Sequence, residues 1–166
     1  MNNTSSLPSI THFTDARLSD ITVNSSTISS ILKSLNPNKA HGCDNISIQM
    51  IKLCDDQIIK PLEMIFTNCL SMSYYPTLWK RANVTPVHKK SNKNDIKNYR
   101  PISLLPIFSK VFEKIIFNEI FGFLESNQLL SKNQSGFRSG DSCVSQLLSI
   151  THEIYRAFDC NPSLEV

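Results

Sequence analysis

The sequence predicts an α+β protein that is mostly helical and carries one basic β-hairpin. Apolar residues recur at helical spacing through most of the chain. Alternation every second residue occurs only between Ala82 and Leu105, on either side of a polar loop rich in lysine and asparagine. The net charge is only +3, but Lys80 to Arg100 holds seven basic residues and one acid. Such clustering indicates a phosphate-bearing partner; a solvated lysine-rich loop is the alternative.

Three helices are predicted in the first half of the chain. The first begins after the capping candidates Asn24 and Ser25 and ends at Asn36-Pro37. A short helix covers residues 46–53, and Asp55-Asp56 begins a longer one. The apolar side chains that these helices would bury are Ile28, Ile31, Leu32, Leu35, Ile58, Leu62, Ile65, Phe66, Cys69 and Leu70.

The hairpin is predicted from residues 82–87 and 99–105, which form its two strands. Pro101 lies inside the second strand, where it cannot donate a backbone hydrogen bond. We therefore expect Pro101 on a sheet edge or at a bulge.

The second half of the chain is predicted to contain two helices. Pro106 begins the longer one, whose apolar stripe runs to Leu124, and a loop covers residues 126–140. Asp141 or Ser142 caps the last helix. Its side chains expected to face inward are Val144, Leu147, Leu148, Thr151, Ile154, Tyr155 and Phe158.

Residues 1–24 lack periodicity, and we expect them to be a disordered tail or the remnant of a linker. The domain would then be residues 25–166. The five cysteines are widely spaced without a CxxC pair. This pattern favours reduced, mostly buried thiols over disulfides or a zinc site. No signal peptide is visible, and no apolar run approaches the ~18 residues of a membrane span. We expect an intracellular chain with no membrane partner, in either the nucleus or the cytoplasm.

Four segments resemble, in order, the reverse transcriptases (RNA-directed DNA polymerases) of non-LTR retrotransposons, especially the jockey-like group. They are NKAHGCDNI (Asn38 to Ile46), YPTLWKRANVTPVHKK (Tyr75 to Lys90), NYRPISLLPIFSKVFEKII (Asn98 to Ile116) and NQSGFRSGDSC (Asn133 to Cys143). The resemblance covers about residues 28–158, and the order of the four segments makes coincidence a poor explanation.

The resemblance implies a fold and an activity. The chain would be the fingers region, with part of the palm, of a right-hand polymerase, truncated before its catalytic strand. The family activity is RNA-templated DNA synthesis from deoxynucleoside triphosphates with Mg²⁺. The implied partners are an RNA template, a DNA primer and a dNTP, which this chain alone would bind weakly or not at all. The possibility that a second chain carries the palm stays open.

Lys89 and Arg100 are the predicted nucleotide-phosphate ligands. A planar guanidinium suits two phosphate oxygens, and a lysine across the hairpin adds a point charge. In the family, the equivalent lysine and arginine bind the phosphates of the nucleotide. In this chain, Lys90 is the alternative candidate if Lys89 is not the equivalent lysine. In the alternative interpretation, Arg100 pairs with Glu113 or Asp95.

Template or nucleic-acid contacts are predicted in two loops. Gly136 would let the backbone approach a strand closely, as would Gly140, and Phe137 offers a stacking face unless it fills the core. Asp44 is expected to cap the following helix. The predicted nucleic-acid contacts are Lys39, Gln134, Gly136, Phe137 and Arg138.

The segment HEIYRAFD (His152 to Asp159) imitates the first catalytic motif of the family, but its spacing is helical. Glu153 and Asp159 are therefore predicted to be surface acids of a helix. We predict no catalytic residue and no metal ligand in the chain. Two other hypotheses are a non-catalytic RNA- or single-strand-binding module and a purely structural helical domain.

Overall fold

The computed structural model describes residues 14–18, 20–131, 134–138 and 140–160. The chain divides into two units, residues 16–123 and the residues on either side of that range. The predicted α+β, mostly helical class is confirmed. The helices and strands of the described residues are α1 (Ser25–Ser34), α2 (Ile48–Cys54), α3 (Ile59–Ser71), β1 (Asn83–His88), β2 (Tyr99–Leu104), α4 (Ile107–Ser126) and α5 (Cys143–Cys160). Short 3₁₀ turns cover Asp55–Ile58, Thr77–Lys80 and Ile96–Asn98.

The N-terminal caps decide where the first helices begin. Asn24 caps α1, as predicted, because its side chain accepts a 2.8 Å hydrogen bond from the Thr27 amide. Ser47 caps α2 in the same way, so Asp44 is not the cap that the sequence indicated. The Asp44 carboxylate instead accepts from the Ile46 amide at 3.3 Å and closes a turn before the helix.

A core of apolar side chains lies within residues 16–123. Phe66 of α3 is its largest fully buried side chain, stacked on Phe112 with ring centroids 5.1 Å apart. Trp79 meets Phe66 edge-on at 5.8 Å. Ile65 was expected in this core but is 45% exposed. The remaining buried apolar members are Ile28, Leu32, Ile48, Ile51, Leu62, Cys69, Ile107, Val111 and Ile115.

β1 and β2 form the predicted hairpin, an antiparallel pair in which Pro86 opposes Pro101. Both strands are edges, as expected for Pro101. The Lys89 amide donates to the Asn98 carbonyl at 2.8 Å, one residue beyond β1. Hydrogen-bonded pairs then alternate along the ladder, and Pro86 and Pro101 fall on a pair without ladder bonds. Neither proline therefore costs the hairpin a hydrogen bond.

The second unit contains α5. The prediction that one face of this helix is buried is wrong. Ser142 caps this helix by accepting from the Ser145 amide at 3.1 Å. None of the α5 side chains is buried. Leu147 and Tyr155 are both about two-thirds exposed, and of the side chains expected to face inward only Phe158 is half-buried. Helical periodicity identifies which side chains share a face, but it does not say what that face meets.

The cysteine prediction is correct only in part. All five cysteines are free, but Cys69 alone is buried, Cys43 is half-buried, and Cys54, Cys143 and Cys160 are exposed. In the described ranges, no helix combines the length and apolar content needed to cross a membrane.

Candidate phosphate-binding hairpin

The loop that joins β1 to β2 is held in place by its own polar side chains. The Tyr99 hydroxyl donates to the Lys93 carbonyl at 2.9 Å, and the Asn98 side-chain amide donates to the Asn92 carbonyl at 2.8 Å. The His88 ring packs edge-on against Tyr99, with centroids 5.3 Å apart. These contacts fix the backbone that carries the lysines, which lowers the entropy lost when the lysines bind a ligand.

Lys89 and Arg100 share one face of the hairpin. Arg100 opposes Val87, and side chains of directly opposed residues point to the same face. Lys89 is two residues beyond Val87 and still donates into the ladder, so its side chain lies on that face as well. Both side chains are exposed. Lys90 lies beyond the last ladder bond, where strand alternation no longer fixes its direction.

The carboxylates that were the alternative partners of Arg100 are engaged elsewhere. Asp95 accepts from the Lys97 amide at 3.0 Å and caps a 3₁₀ turn of the loop. Glu113 accepts from the Tyr75 hydroxyl at 2.6 Å. Across the part of the chain that the structure describes, no carboxylate lies within ion-pair distance of Lys89 or Arg100. A phosphate oxygen would therefore not have to displace a carboxylate there.

The loop that carries Lys39 lies at the other end of the hairpin. Gly42 is buried against the backbone of Leu105 and Pro106, directly after β2. Arg100 is four residues before Leu104, so at ~3.3 Å per residue it lies roughly 13 Å along the strand. Lys39 is exposed, and the anchoring of its loop separates it from the Lys89 and Arg100 pair.

Asn45 of the same loop has a backbone conformation that few residues adopt easily. Its φ is 59°, in the left-handed region that glycine and asparagine tolerate best. The Cys43 thiol donates to the Arg81 carbonyl at 3.6 Å. The loop therefore contacts the chain just before β1 as well as just after β2.

The loop of Gln134 to Arg138 belongs to the second unit. Phe137 is 96% exposed with φ 64°, so it does not fill the core, and its ring is open to stacking. A Cβ at Gly136 or Gly140 would meet no atom of the described residues within 4 Å, so packing within the chain does not require a glycine at either position. Gly140 is instead suited to its φ of 81°. Gln134 donates to the Gly136 carbonyl at 3.3 Å.

The Arg138 guanidinium is held by its own loop. Its Nη2 donates to the Ser131 carbonyl at 3.1 Å. The pKa of Asp141 lies below its ordinary value, mainly because the Ser145 hydroxyl hydrogen-bonds to its carboxylate, and the Arg138 charge contributes. A phosphate bound by Arg138 would therefore compete with contacts that already fix this side chain.

The segment HEIYRAFD is helical, as predicted, and belongs to α5. Glu153 is exposed and faces Arg156 at 3.9 Å, and Asp159 is exposed. Within the described ranges, no three His, Cys, Asp or Glu side chains are grouped closely enough to hold a metal ion. These residues therefore do not fit the two-metal site of polymerase chemistry, and no step through a metal follows from them.

Sequence reasoning missed a polar network that joins Tyr75, in the segment before β1, to α4. Ser109 of α4 is fully buried, and its hydroxyl donates to Glu113 Oε1 at 3.1 Å. The Tyr75 hydroxyl donates to the same oxygen and lies 3.0 Å from the Ser109 hydroxyl. A serine beside the apolar stripe of a predicted core helix was the available signal, because buried hydroxyls need partners.

No protein-family model matches this chain. It is 34% identical over 129 residues to the probable RNA-directed DNA polymerase from transposon BS of Drosophila melanogaster, covering 77% of this chain and 14% of that protein. The probable RNA-directed DNA polymerase from transposon X-element of the same fly is 35% identical over 123 residues, covering 74% and 14%. The RNA-directed DNA polymerase from mobile element jockey is 30% identical over 133 residues, covering 80% and 14%.

The chain spans about one seventh of the length of these relatives. The alignments cover most of this chain, so they rest on far more than the four short segments. The chain belongs to the family of RNA-directed DNA polymerases of jockey-like and other non-LTR retrotransposons.

Proposed function

We propose that this chain is the nucleotide- and template-gripping part of a retrotransposon RNA-directed DNA polymerase, equivalent to the fingers region with part of the palm. Lys89 and Arg100 bind the phosphates of the incoming nucleotide. The observation that carries the proposal is that both cations lie on one exposed face of an ordered hairpin. No carboxylate of the described residues neutralises either of them.

The two cations complement each other chemically. The Arg100 guanidinium presents paired N–H donors that match two phosphate oxygens, and Pro101 restrains the backbone beside it. The Lys89 ammonium adds a strongly hydrated point charge without fixed geometry. An exposed pair can hold a triphosphate only transiently, because water screens both charges. The binding is therefore weak in this chain alone.

We predict that the chain alone does not catalyse DNA synthesis. The reaction needs carboxylates that bind two metal ions, and the described residues supply no such group. A primer-extension assay with an RNA template, a DNA primer, dNTPs and Mg²⁺ is expected to show no incorporation. An active reverse transcriptase assayed in parallel verifies the substrates. Magnesium-dependent extension by the purified chain would overturn this prediction.

A second candidate function is a non-catalytic module that binds single-stranded RNA. The observation that favours it is Phe137, which is 96% exposed and next to Arg138. An exposed ring is worth ~1–3 kcal/mol per stacked base in proteins that bind single strands. In this case Phe137→Ala lowers RNA affinity without changing its salt dependence, because stacking releases no counterions.

We predict that Lys89→Ala and Arg100→Ala each weaken binding of a homopolymer RNA in a filter-binding salt series. Each lost phosphate contact is expected to reduce the slope of log K against log salt by ~0.7. Lys33→Ala is the matched control, since Lys33 is exposed on α1 and away from the hairpin in sequence. Equal effects of all three substitutions would contradict the proposed role of the hairpin.

Competition distinguishes the two candidate functions. If the hairpin grips a nucleotide, an excess of dNTP displaces the RNA from the unmodified chain. It does not displace the RNA from the double variant Lys89→Ala, Arg100→Ala, whose remaining affinity does not depend on these two cations. If the chain is a strand-binding module, dNTP has no effect and Phe137→Ala causes the larger loss. Absence of any binding at moderate salt supports the purely structural hypothesis.

A further inference from the structure

The hairpin depends on its base for its position. Apart from His88, Tyr99 and Leu104, every strand side chain of the hairpin is exposed. An isolated two-stranded hairpin is at best marginally stable in water. The direction in which Lys89 and Arg100 point is therefore decided where the strands enter and leave the core. We call residues 79–82 and 104–107 the hairpin base.

Both sides of the hairpin base are tied to α4. The Trp79 side chain, 8% exposed, lies 5.8 Å from the Phe112 ring of α4 on the side that leads into β1. On the side that leaves β2, Pro106 and Ile107 are buried, and Ile107 is the first residue of α4. These apolar contacts supply burial, but they permit small sliding movements because dispersion is not directional.

Tyr75 adds directional contacts at this position. Its hydroxyl donates to Glu113 Oε1 at 2.6 Å, and the buried Ser109 hydroxyl donates to the same oxygen at 3.1 Å. Burial raises the pKa of Tyr75, and the hydrogen bond to Glu113 raises it further, so the hydroxyl keeps its proton at neutral pH. Hydrogen bonds to a charged acceptor are shorter and stronger than neutral ones.

We propose that Tyr75, Ser109 and Glu113 form a positioning network that fixes the hairpin base, and through it the direction of Lys89 and Arg100. Tyr75 precedes the 3₁₀ turn Thr77–Lys80 that leads into β1, and Ser109 and Glu113 lie in the first two turns of the helix that follows β2. The network thus joins the two chain segments that flank the hairpin. Its functional consequence rests on the proposed phosphate binding by the hairpin.

The test is Tyr75→Phe, which keeps the ring and its packing against Trp79 at 5.8 Å but removes the hydroxyl. Hydrogen exchange of the backbone amides at residues 81–88 and 99–104, other than the two prolines, is expected to accelerate roughly tenfold, the effect of losing one strong hydrogen bond from a local opening equilibrium. Amides of α3 are expected to exchange as before. Tyr74→Phe is the matched control, because Tyr74 is 53% exposed and adjacent.

RNA affinity separates positioning from general stability. Introduced alone, Tyr75→Phe is expected to lower the affinity for RNA. In a Lys89→Ala, Arg100→Ala background it is expected to have no effect, because neither cation remains to be positioned. A purely structural role would give the same fall in both backgrounds. Glu113→Gln retains an acceptor for the Tyr75 hydroxyl. The exchange rates of the hairpin amides in this variant should therefore lie between those of the unmodified chain and those of Tyr75→Phe.

Two results would overturn the proposed positioning role of the network. One is unchanged exchange in the hairpin of Tyr75→Phe, and the other is an equal acceleration throughout α3 and α4. The failure of the proposed function looks different, because RNA affinity would then not respond to Lys89→Ala or Arg100→Ala. The exchange measurement still decides the network in that case, since it does not depend on a ligand.

Discussion

Phe66→Ala is expected to lower the free energy of unfolding by ~3–5 kcal/mol, the range of large-to-small substitutions of buried aromatic residues. Phe66 has no exposed surface. Its ring stacks on Phe112 at 5.1 Å and receives the edge of Trp79 at 5.8 Å. The substitution removes both aromatic contacts and leaves a cavity between α3 and α4. Urea unfolding followed by Trp79 fluorescence measures the loss directly.

The size of this effect follows from where Phe66 lies. The rings that it contacts belong to the 3₁₀ turn before β1 and to the helix after β2, so the cavity opens beneath the hairpin base. Phe137→Ala is the matched control, because its 96% exposed ring predicts a change within ~0.5 kcal/mol. A loss below ~1 kcal/mol for Phe66→Ala would show that the core collapses around the cavity.

Local features of the fold were predictable from the sequence. Asn24 precedes an apolar helical repeat, and it caps α1 as expected. The change from helical to alternating spacing located the hairpin, since the two periods cannot share one segment. Pro101 indicated an edge, and β2 is an edge. Each of these features depends on residues within a few positions of one another.

Features that depend on distant residues were not predictable in the same way. Tyr75 and Glu113 are 38 residues apart, and no period or motif links a hydroxyl to that carboxylate. The apolar face of α5 was visible in the sequence, but its exposure was not, because periodicity is the same for covered and uncovered faces. Phe137 was ambiguous for a similar reason, since an aromatic residue suits both a core and a stacking surface.

The loop that carries Lys39 has both a feature that the sequence indicated and a contact that it did not. Gly42 lies in the segment NKAHGCDNI that resembles the family, but the sequence did not say what lies against it. In the structure, a Cβ at Gly42 would lie 2.4 Å from the Pro106 nitrogen and 2.5 Å from the Leu105 carbonyl carbon. Both neighbours are backbone atoms, which cannot rotate away as the end of a side chain can. The glycine is therefore required by close approach to the start of α4.

Gly42→Ala is accordingly expected to lower the free energy of unfolding by about 3 kcal/mol, at the upper end of the range for overpacking. Pro106 is buried and its ring fixes φ, so the methyl group can be accommodated only if the loop or the first turn of α4 moves. Urea unfolding compared with the unmodified chain provides the measurement.

Gly122→Ala is the matched control, because the same substitution is made where a Cβ meets nothing within 4 Å. Gly122 lies inside α4, where alanine is a better helix former by ~1 kcal/mol, so the control should stabilise the chain. Opposite signs for the two variants would attribute the loss at Gly42 to packing against the hairpin base. A Gly42→Ala chain as stable as the unmodified one would mean that the loop moves away freely, and that the position of Lys39 is not fixed by this contact.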